Sequence, residues 1–481
     1  MRVPFIRHVI STFGITILQQ FVGLARHVLI AAYFGLSREF DGYLVVYAVA
    51  TIFVFNASGV FDSVAVSRLV QIRERDGDSA FWRSSNRLLL QAFAGGGLFA
   101  AAFFALVQLS LPIVAAGFSP SEKAEVGRLA LYFLPWTAIV IPYYAISAHL
   151  KALWQFHWVF GAEIVTIVVS IVCLWLWHDS IIYLPLAYAA GYFSAFIILF
   201  ARRGILRSDR SAKSSAVIGA MANQYLANQG GSVSGFVDRY FQSFLVPGGI
   251  SALGYAGQIV NNLSSLMTFR EIYVAPLATE LGRSERLQRI LKGVVLISVP
   301  CAGFIVTFSG PIVQVLFQRG QFTPEAAVVT GNVLRILALS LVISSLLAPM
   351  IRIFQIVDRI SYSYVFYLVA LLATAAFQYL FVFWLGWDVY GIAWASVASG
   401  VVTTLVIVGL MPRCGITLDW PSIFGTAMFA FAVAAAAIAI SLPLASRFDG
   451  LLALIVGTAL YSVVVAAGYF TVRQRIRLIT G

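Results

Sequence analysis

Apolar runs too long for the core of a water-soluble protein dominate this chain. The first extends from Val9 to Gly35. Runs of about eighteen or more apolar residues read as helices that cross a bilayer, because a helix satisfies its own backbone in hydrocarbon. With about 20 residues per crossing, some fourteen spans are expected: 9–35, 43–67, 88–118, 124–148, 158–178, 181–201, 214–246, 250–280, 293–318, 324–350, 362–385, 389–411, 423–443 and 450–471. Of 481 residues, 60% are hydrophobic and 11% charged, too little charge to cover a soluble surface. The expected fold is an all-α polytopic membrane protein.

The net charge of +12 would suit a nucleic-acid partner, but its distribution argues otherwise. The N-terminus and every second loop hold 23 of the 32 Lys and Arg, including Arg68, Arg73, Arg75, Arg83, Arg87, Arg202, Arg203, Arg207, Arg210 and Lys213. The alternate side holds five: Arg38, Lys123, Arg319 and Arg447 in loops, and Arg128 near the start of the span 124–148. Such a bias marks the cytoplasmic side. It implies a multi-pass membrane protein with both termini in the cytoplasm, and no nucleic acid. The first run lacks a small-residue cleavage site and is expected to be retained rather than removed as a signal peptide.

The two halves resemble each other. Arg26 precedes Gly35 by nine residues, and Arg239 precedes Gly248 by nine. "LPIVAAGF" at 111–118 resembles "GPIVQVLF" at 310–317, and "RLAL" at 128–131 resembles "RILAL" at 335–339. The offsets lie between 199 and 213 residues. This pattern points to a parallel repeat, as in many transporters, with substrate bound between the copies near midplane. The expected organisation is an N-terminal lobe at 1–201, a cytoplasmic linker at 202–213, a C-terminal lobe at 214–411, and two additional spans with a basic tail at 412–481. The lobes would enclose a central cavity. The basic stretches 68–87 and 202–213 are expected as loops.

Arg26, Arg239, Arg270 and Arg335 fall inside spans. Charge at that depth is expensive and marks functional candidates. Arg26 lies nine residues from Gly35, about 13 Å of helical rise, close to the middle of a core about 30 Å thick. In steps of three and four, Thr12, Thr16, Gln19, Gly23 and Arg26 share one helical face. His27 shares the face of Gln20 instead. Span seven repeats the stripe with Asn228, Ser232, Gly235 and Arg239. An overlapping stripe holds Gln224, Gly231, Asp238 and Gln242. Span eight carries Gln258, Asn262 and Ser265; span two carries Tyr47, Thr51, Ser58 and Asp62. Small and hydroxylated residues also mediate plain helix packing, and the two arginines could simply pair with Asp41, Asp62 or Asp238. Glu163 and Glu271 lie near expected cytoplasmic ends.

Enzyme signatures are absent: there is no Walker loop and no HExxH. The five histidines are scattered and the three cysteines have no metal-like spacing, so no metal, cofactor or disulfide is expected. A cationic cleft suits an anion, and arginine forks pair well with phosphates. A diphosphate joining a lipid tail to a sugar head fits the layout. With no ATP site, coupling would come from the membrane potential, H+ or Na+, and Asp238 is the best carboxylate for a cation.

Specific segments resemble the bacterial lipid II flippase family, the MurJ or MviN type. "LFQRGQFTPEA" at 316–326 is similar to the loop before its span ten. "GLARHVLIAAYFGLSREFDGYLVVYAV" at 23–49 resembles its first helical hairpin, with Arg26 and Asp41 at matching places. "GFVDRYFQSFLVPGGISALGYAGQIV" at 235–260 and "RIFQIVDR" at 352–359 resemble two further segments. The resemblance implies the fold of the multidrug/oligosaccharidyl-lipid/polysaccharide exporter superfamily, with alternating access. The polar stripes mark Arg26, Arg239, Gln19, Gln20, Asn228, Gln258 and Asn262 as candidate substrate contacts and Asp41 and Asp62 as candidates for charge pairing or gating, while the resemblance implies a cation site at Asp238, with Thr374 and Gln378 at its span-eleven positions. The family pattern carries further basic residues where this chain has Gln20, Gln258 and the uncharged "IFVFNASG" at 52–59. The expected activity is therefore flipping of a polyprenyl-diphosphate-linked oligosaccharide for exopolysaccharide or O-antigen. A polysaccharide polymerase or glycosyltransferases would be partners. The alternatives are a lipid II flippase for peptidoglycan, an ion-coupled drug antiporter, and a non-transporting scaffold of a polysaccharide synthase.

Overall fold

The computed structural model describes residues 2–203, 219, 221, 224–225, 233–267, 283–356, 361–445, 447–448 and 450–471. Among these, every regular element is helical, and eleven stretches are long and apolar enough to cross a membrane. The difference from fourteen has two sources. The expected spans 43–67 and 88–118 join in one helical run, Arg38–Val114. The spans 214–246 and 250–280 fall partly outside the described residues, as do Asn228, Ser232, Arg270, Glu271 and most of the 202–213 linker.

The chain divides into two compact units, Met1–Phe244 and Leu245–Gly481. In the first, α1 (Arg2–Phe34) packs on α6 (Phe156–Leu176), and α6 packs on α7 (Tyr183–Arg203). α2 (Arg38–Val60) lies against α4 (Pro120–Tyr132), while α3 (Val66–Val114) runs along α5 (Leu134–Ala152). A short α8 (Val233–Gln242) packs on α2 and α3. Between α2 and α3 the helix widens into π-type turns at Phe61–Ala65.

The stretch 68–87 is helical rather than a loop. α3 passes through it and bends at Gly77, whose φ is 82°. Its arginines and Glu74 are good helix formers, and Leu69, Ile72, Ala80 and Phe81 at near-helical spacing turn inward and are buried. Polar bonds tie its end to two other helices. Arg203 on α7 donates from Nη2 to the Ser85 hydroxyl oxygen at 3.2 Å and to Asn86 Oδ1. The Ser85 hydroxyl hydrogen-bonds His149 Nδ1 on α5 at 2.7 Å.

The second unit holds α9 (Gly249–Met267), α10 (Arg283–Phe317), α11 (Pro324–Ile356), α12 (Ser361–Gln378), α13 (Asp388–Leu410), α14 (Trp420–Ala445) and α15 (Gly450–Thr471). Buried Leu287, Met350, Phe354, Phe366, Ile407 and Met411 form part of its core. In the 316–326 segment, Phe317 and Phe322 are buried and close on Tyr255, with centroids 5.2 and 5.6 Å from it.

Local geometry repeats between the units. Gly35 and Gly248 both take left-handed backbone, with φ of 52° and 87°, a conformation that suits glycine at a chain reversal. Ser119 caps α4 by accepting from the Glu122 N–H at 3.3 Å. Thr323 caps α11 by accepting from the Ala326 N–H at 3.2 Å. In each unit a proline follows the cap, where its missing N–H costs nothing.

The last helix, α15, docks on α10 for a reason visible in its backbone. Pro300 sits inside α10 and has no N–H, so the Leu296 carbonyl loses its partner one turn earlier. The Tyr469 hydroxyl of α15 donates to that carbonyl, and Tyr461 donates to the Pro300 carbonyl at 2.8 Å. Removing the Tyr469 hydroxyl should orphan the Leu296 carbonyl at a cost of about 1–3 kcal/mol. Tyr469→Phe is thus expected to lower the thermal midpoint of the purified protein, whereas in the P300A background, where an N–H is restored, it should lower it much less.

Candidate functional site

The polar face of α1 is engaged by helices of its own unit. Gln19 donates from Nε2 to Glu163 Oε2 at 2.6 Å and to the Phe160 carbonyl at 3.4 Å, both on α6. Glu163 is thereby half-buried and hydrogen-bonded. Two turns along, Arg26 reaches α7, where its Cζ lies 4.4 Å from the Tyr188 ring centroid. Gln20 and His27 are half-buried on the neighbouring face.

Arg26 meets an aromatic shell. The Tyr188 hydroxyl donates to the Tyr47 hydroxyl at 3.4 Å. Tyr47 stacks on Tyr43 and on Trp136, with centroids 5.5 and 5.8 Å apart. Trp136 contacts Tyr188 at 5.3 Å and Tyr192 at 6.2 Å. Three helices build this shell: α2 gives Tyr43 and Tyr47, α5 gives Trp136, and α7 gives Tyr188 and Tyr192. Tyr43, Trp136 and Tyr188 are buried; Tyr47, Tyr192 and Arg26 itself are half-buried. Arg26 Nε is sealed from solvent without a hydrogen-bond acceptor. Among the described residues, no carboxylate forms an ion pair with Arg26.

Arg239 is compensated differently. It donates from Nη1 to Gln242 Oε1 at 2.8 Å, and the carboxylates of Asp238 and Asp41 act on its charge. Asp41 is fully buried and also lies 4.0 Å from Arg38 Nη1. Arg38 in turn binds Glu122 at 2.8 Å and sits over the Phe118 ring at 3.7 Å. Asp62 pairs with Lys151 Nζ at 2.7 Å, not with either span arginine.

The other candidates divide between the units. Gln258 donates to Asn262 Oδ1 at 2.8 Å within α9. Thr374 donates to Ser399 of α13 at 2.9 Å, and Gln378 is fully buried. Asp238 belongs to the first unit and Thr374 and Gln378 to the second. Arg335 reaches the Val306 carbonyl at 3.3 Å. Four shell residues, Tyr43, Trp136, Tyr188 and Tyr192, escaped the sequence reading. A signal for them existed: Tyr43 with Tyr47 and Tyr188 with Tyr192 are spaced four apart, one helical turn, so each pair shares a face.

Comparison with known proteins follows the same lines. The family model for "Lipid II flippase MurJ" matches residues 30–460. The probable lipid II flippase MurJ of Aquifex aeolicus (strain VF5) is 23% identical over 418 residues, covering 82% of this chain and 81% of its own. A solved structure of lipid II flippase MurJ in an inward closed conformation superposes with a TM-score of 0.75 at 18% identity, over 97% of this chain and 100% of that one. An inward-facing multidrug resistance MATE transporter of the MOP superfamily gives a TM-score of 0.55 at 13% identity, over 82% of this chain and 94% of that one.

The placement of α8, and so of Arg239, depends on a close approach. The Gly117 N–H donates to the Ser243 hydroxyl oxygen at 2.9 Å. A Cβ at Gly117 would lie 2.5 Å from the Ser243 carbonyl oxygen, whereas one at Gly95 would meet nothing within 4 Å. Gly117→Ala is expected to destabilise the protein by about 1–3 kcal/mol through forced displacement of backbone. Gly95→Ala, in mid-helix with room for the methyl, should be neutral to slightly stabilising, and thermal unfolding of the two purified variants compares them directly.

Proposed function

The chain belongs to the lipid II flippase MurJ family and is a multi-pass membrane transporter rather than an enzyme, and from that premise we propose that it moves lipid II from the cytoplasmic to the periplasmic leaflet of the inner membrane. The observation that carries this reading is the match to the family over residues 30–460. The chemistry of Arg26 supports it. A guanidinium that lies on a tyrosine ring and has no carboxylate partner among the described residues retains its charge for a diphosphate. The sugar head would lie among the polar residues and the prenyl tail in the bilayer. Alternating exposure of the site to the two sides would carry the headgroup across, driven by the membrane potential or by an H+ or Na+ gradient. Asp238 is the carboxylate proposed to respond to the cation, with both termini in the cytoplasm.

A second reading has its own observation. The sequence resemblance would place basic residues where this chain has Gln20, Gln258 and the uncharged 52–59 segment, and the Gln258 amide is already bonded to Asn262. Fewer cations favour a polyprenyl-diphosphate-linked oligosaccharide for exopolysaccharide or O-antigen, handed on to a polymerase.

Complementation separates the two. In cells depleted of their own lipid II flippase, this protein is expected to restore growth. Arg26→Ala at equal protein level should fail, since losing a charge-assisted bond of about 1.5–3 kcal/mol lowers affinity about tenfold or more. Failure of the wild type there, with restored surface polysaccharide in a mutant lacking its oligosaccharide flippase, would replace lipid II with the second substrate.

A further inference from the structure

Arg26 and Arg239 occupy corresponding places in the two sequence repeats, yet their charges are met by different chemistry. Arg239 has two carboxylates acting on it and a glutamine bond. Arg26 has an aromatic ring at 4.4 Å and a buried Nε with no acceptor. A carboxylate would form a neutral pair with a guanidinium, and an arriving anion would have to displace it. A ring face attracts the cation through its quadrupole and leaves the net charge in place. Such an interaction is also weaker than a bidentate phosphate contact, so it yields to substrate.

The shell around the ring is built to keep it there. Tyr188 is 5% exposed, its hydroxyl is directed to Tyr47 at 3.4 Å, and Trp136 packs on it at 5.3 Å. Tyr47 and Trp136 stack nearly parallel, 14° apart. The ring under the guanidinium is therefore fixed by two other helices, α2 and α5. The unmet Nε donor completes the picture, since it is a hydrogen bond held in reserve for an incoming oxygen.

We propose that Tyr188, braced by Tyr47 and Trp136, is a positioning residue that holds Arg26 by its ring face in place of a carboxylate and so keeps a full positive charge available to the substrate diphosphate. This rests on the reading of Arg26 as the diphosphate contact. The role belongs to the ring's electrons rather than to its bulk, which distinguishes it from packing.

The test titrates the full-length protein in lipid nanodiscs with farnesyl diphosphate, a short polyprenyl diphosphate. Tyr188→Phe keeps the ring and should bind within about twofold of wild type, while Tyr188→Leu removes it and should bind about tenfold more weakly. Tyr188→Glu supplies the neutralising carboxylate and should match Arg26→Ala. In the R26A background, Tyr188→Leu should weaken binding no further. A series of phenylalanines at position 188 carrying one, two or three ring fluorines keeps the shape while draining the ring's quadrupole. Binding should decline stepwise along it, and this series decides the matter if the leucine variant does not fold. A flat fluorine series, or wild-type affinity in Tyr188→Leu, overturns the role of Tyr188 while leaving Arg26 intact. Wild-type affinity in Arg26→Ala overturns the reading of Arg26 as well.

Discussion

A cation held in an apolar helix bundle must be compensated by something, and the choice of compensation determines what the cation can do. A carboxylate neutralises it and makes the pair structural. Aromatic faces attract it without cancelling its charge. In the first unit, Arg239 lies in the field of Asp41 and Asp238, and Arg26 lies on Tyr188. α2, α5 and α7 converge to bring Tyr47, Trp136 and Tyr188 together, and α1 is seated on α6 by the bond from Gln19 to Glu163.

The same economy of compensation governs the backbone. Pro300 withholds one N–H from α10, and Tyr469 answers for the Leu296 carbonyl left behind. In hydrocarbon an unmet carbonyl has no water to turn to. α15 therefore does more than add apolar surface. It completes the hydrogen bonding of α10.

Much of this was legible in the sequence, for physical reasons that apply to particular residues. Spans such as 158–178 and 181–201 announce themselves by length and match helices Phe156–Leu176 and Tyr183–Arg203. Arg26 stands out because a charge nine residues inside a span is costly. Gly35 and Gly248 each follow a span arginine by nine residues, and the left-handed backbone at both explains why glycine stands there. Other features depend on contacts that no local pattern reports. The aromatic shell is assembled from positions 43 to 192, and tyrosines are common in membrane helices, so only their four-residue spacing hinted at it. The stretch 68–87 looked like a loop because it is charged. Its buried Leu69, Ile72 and Phe81 make it an amphipathic extension of α3 instead. Asp62 offered itself as a partner for a span arginine, but Lys151 lies closer to hand at 2.7 Å.

The measurement that bears most directly on the account is transfer of lipid II across vesicles that contain this protein and no other. With a membrane potential imposed and no nucleotide present, lipid II placed in one leaflet should become accessible from the opposite side. The rate should exceed that of the Arg26→Ala protein by about tenfold or more, the worth of one charge-assisted contact. Equal rates for the two proteins, or transfer no faster than in protein-free vesicles, would contradict it.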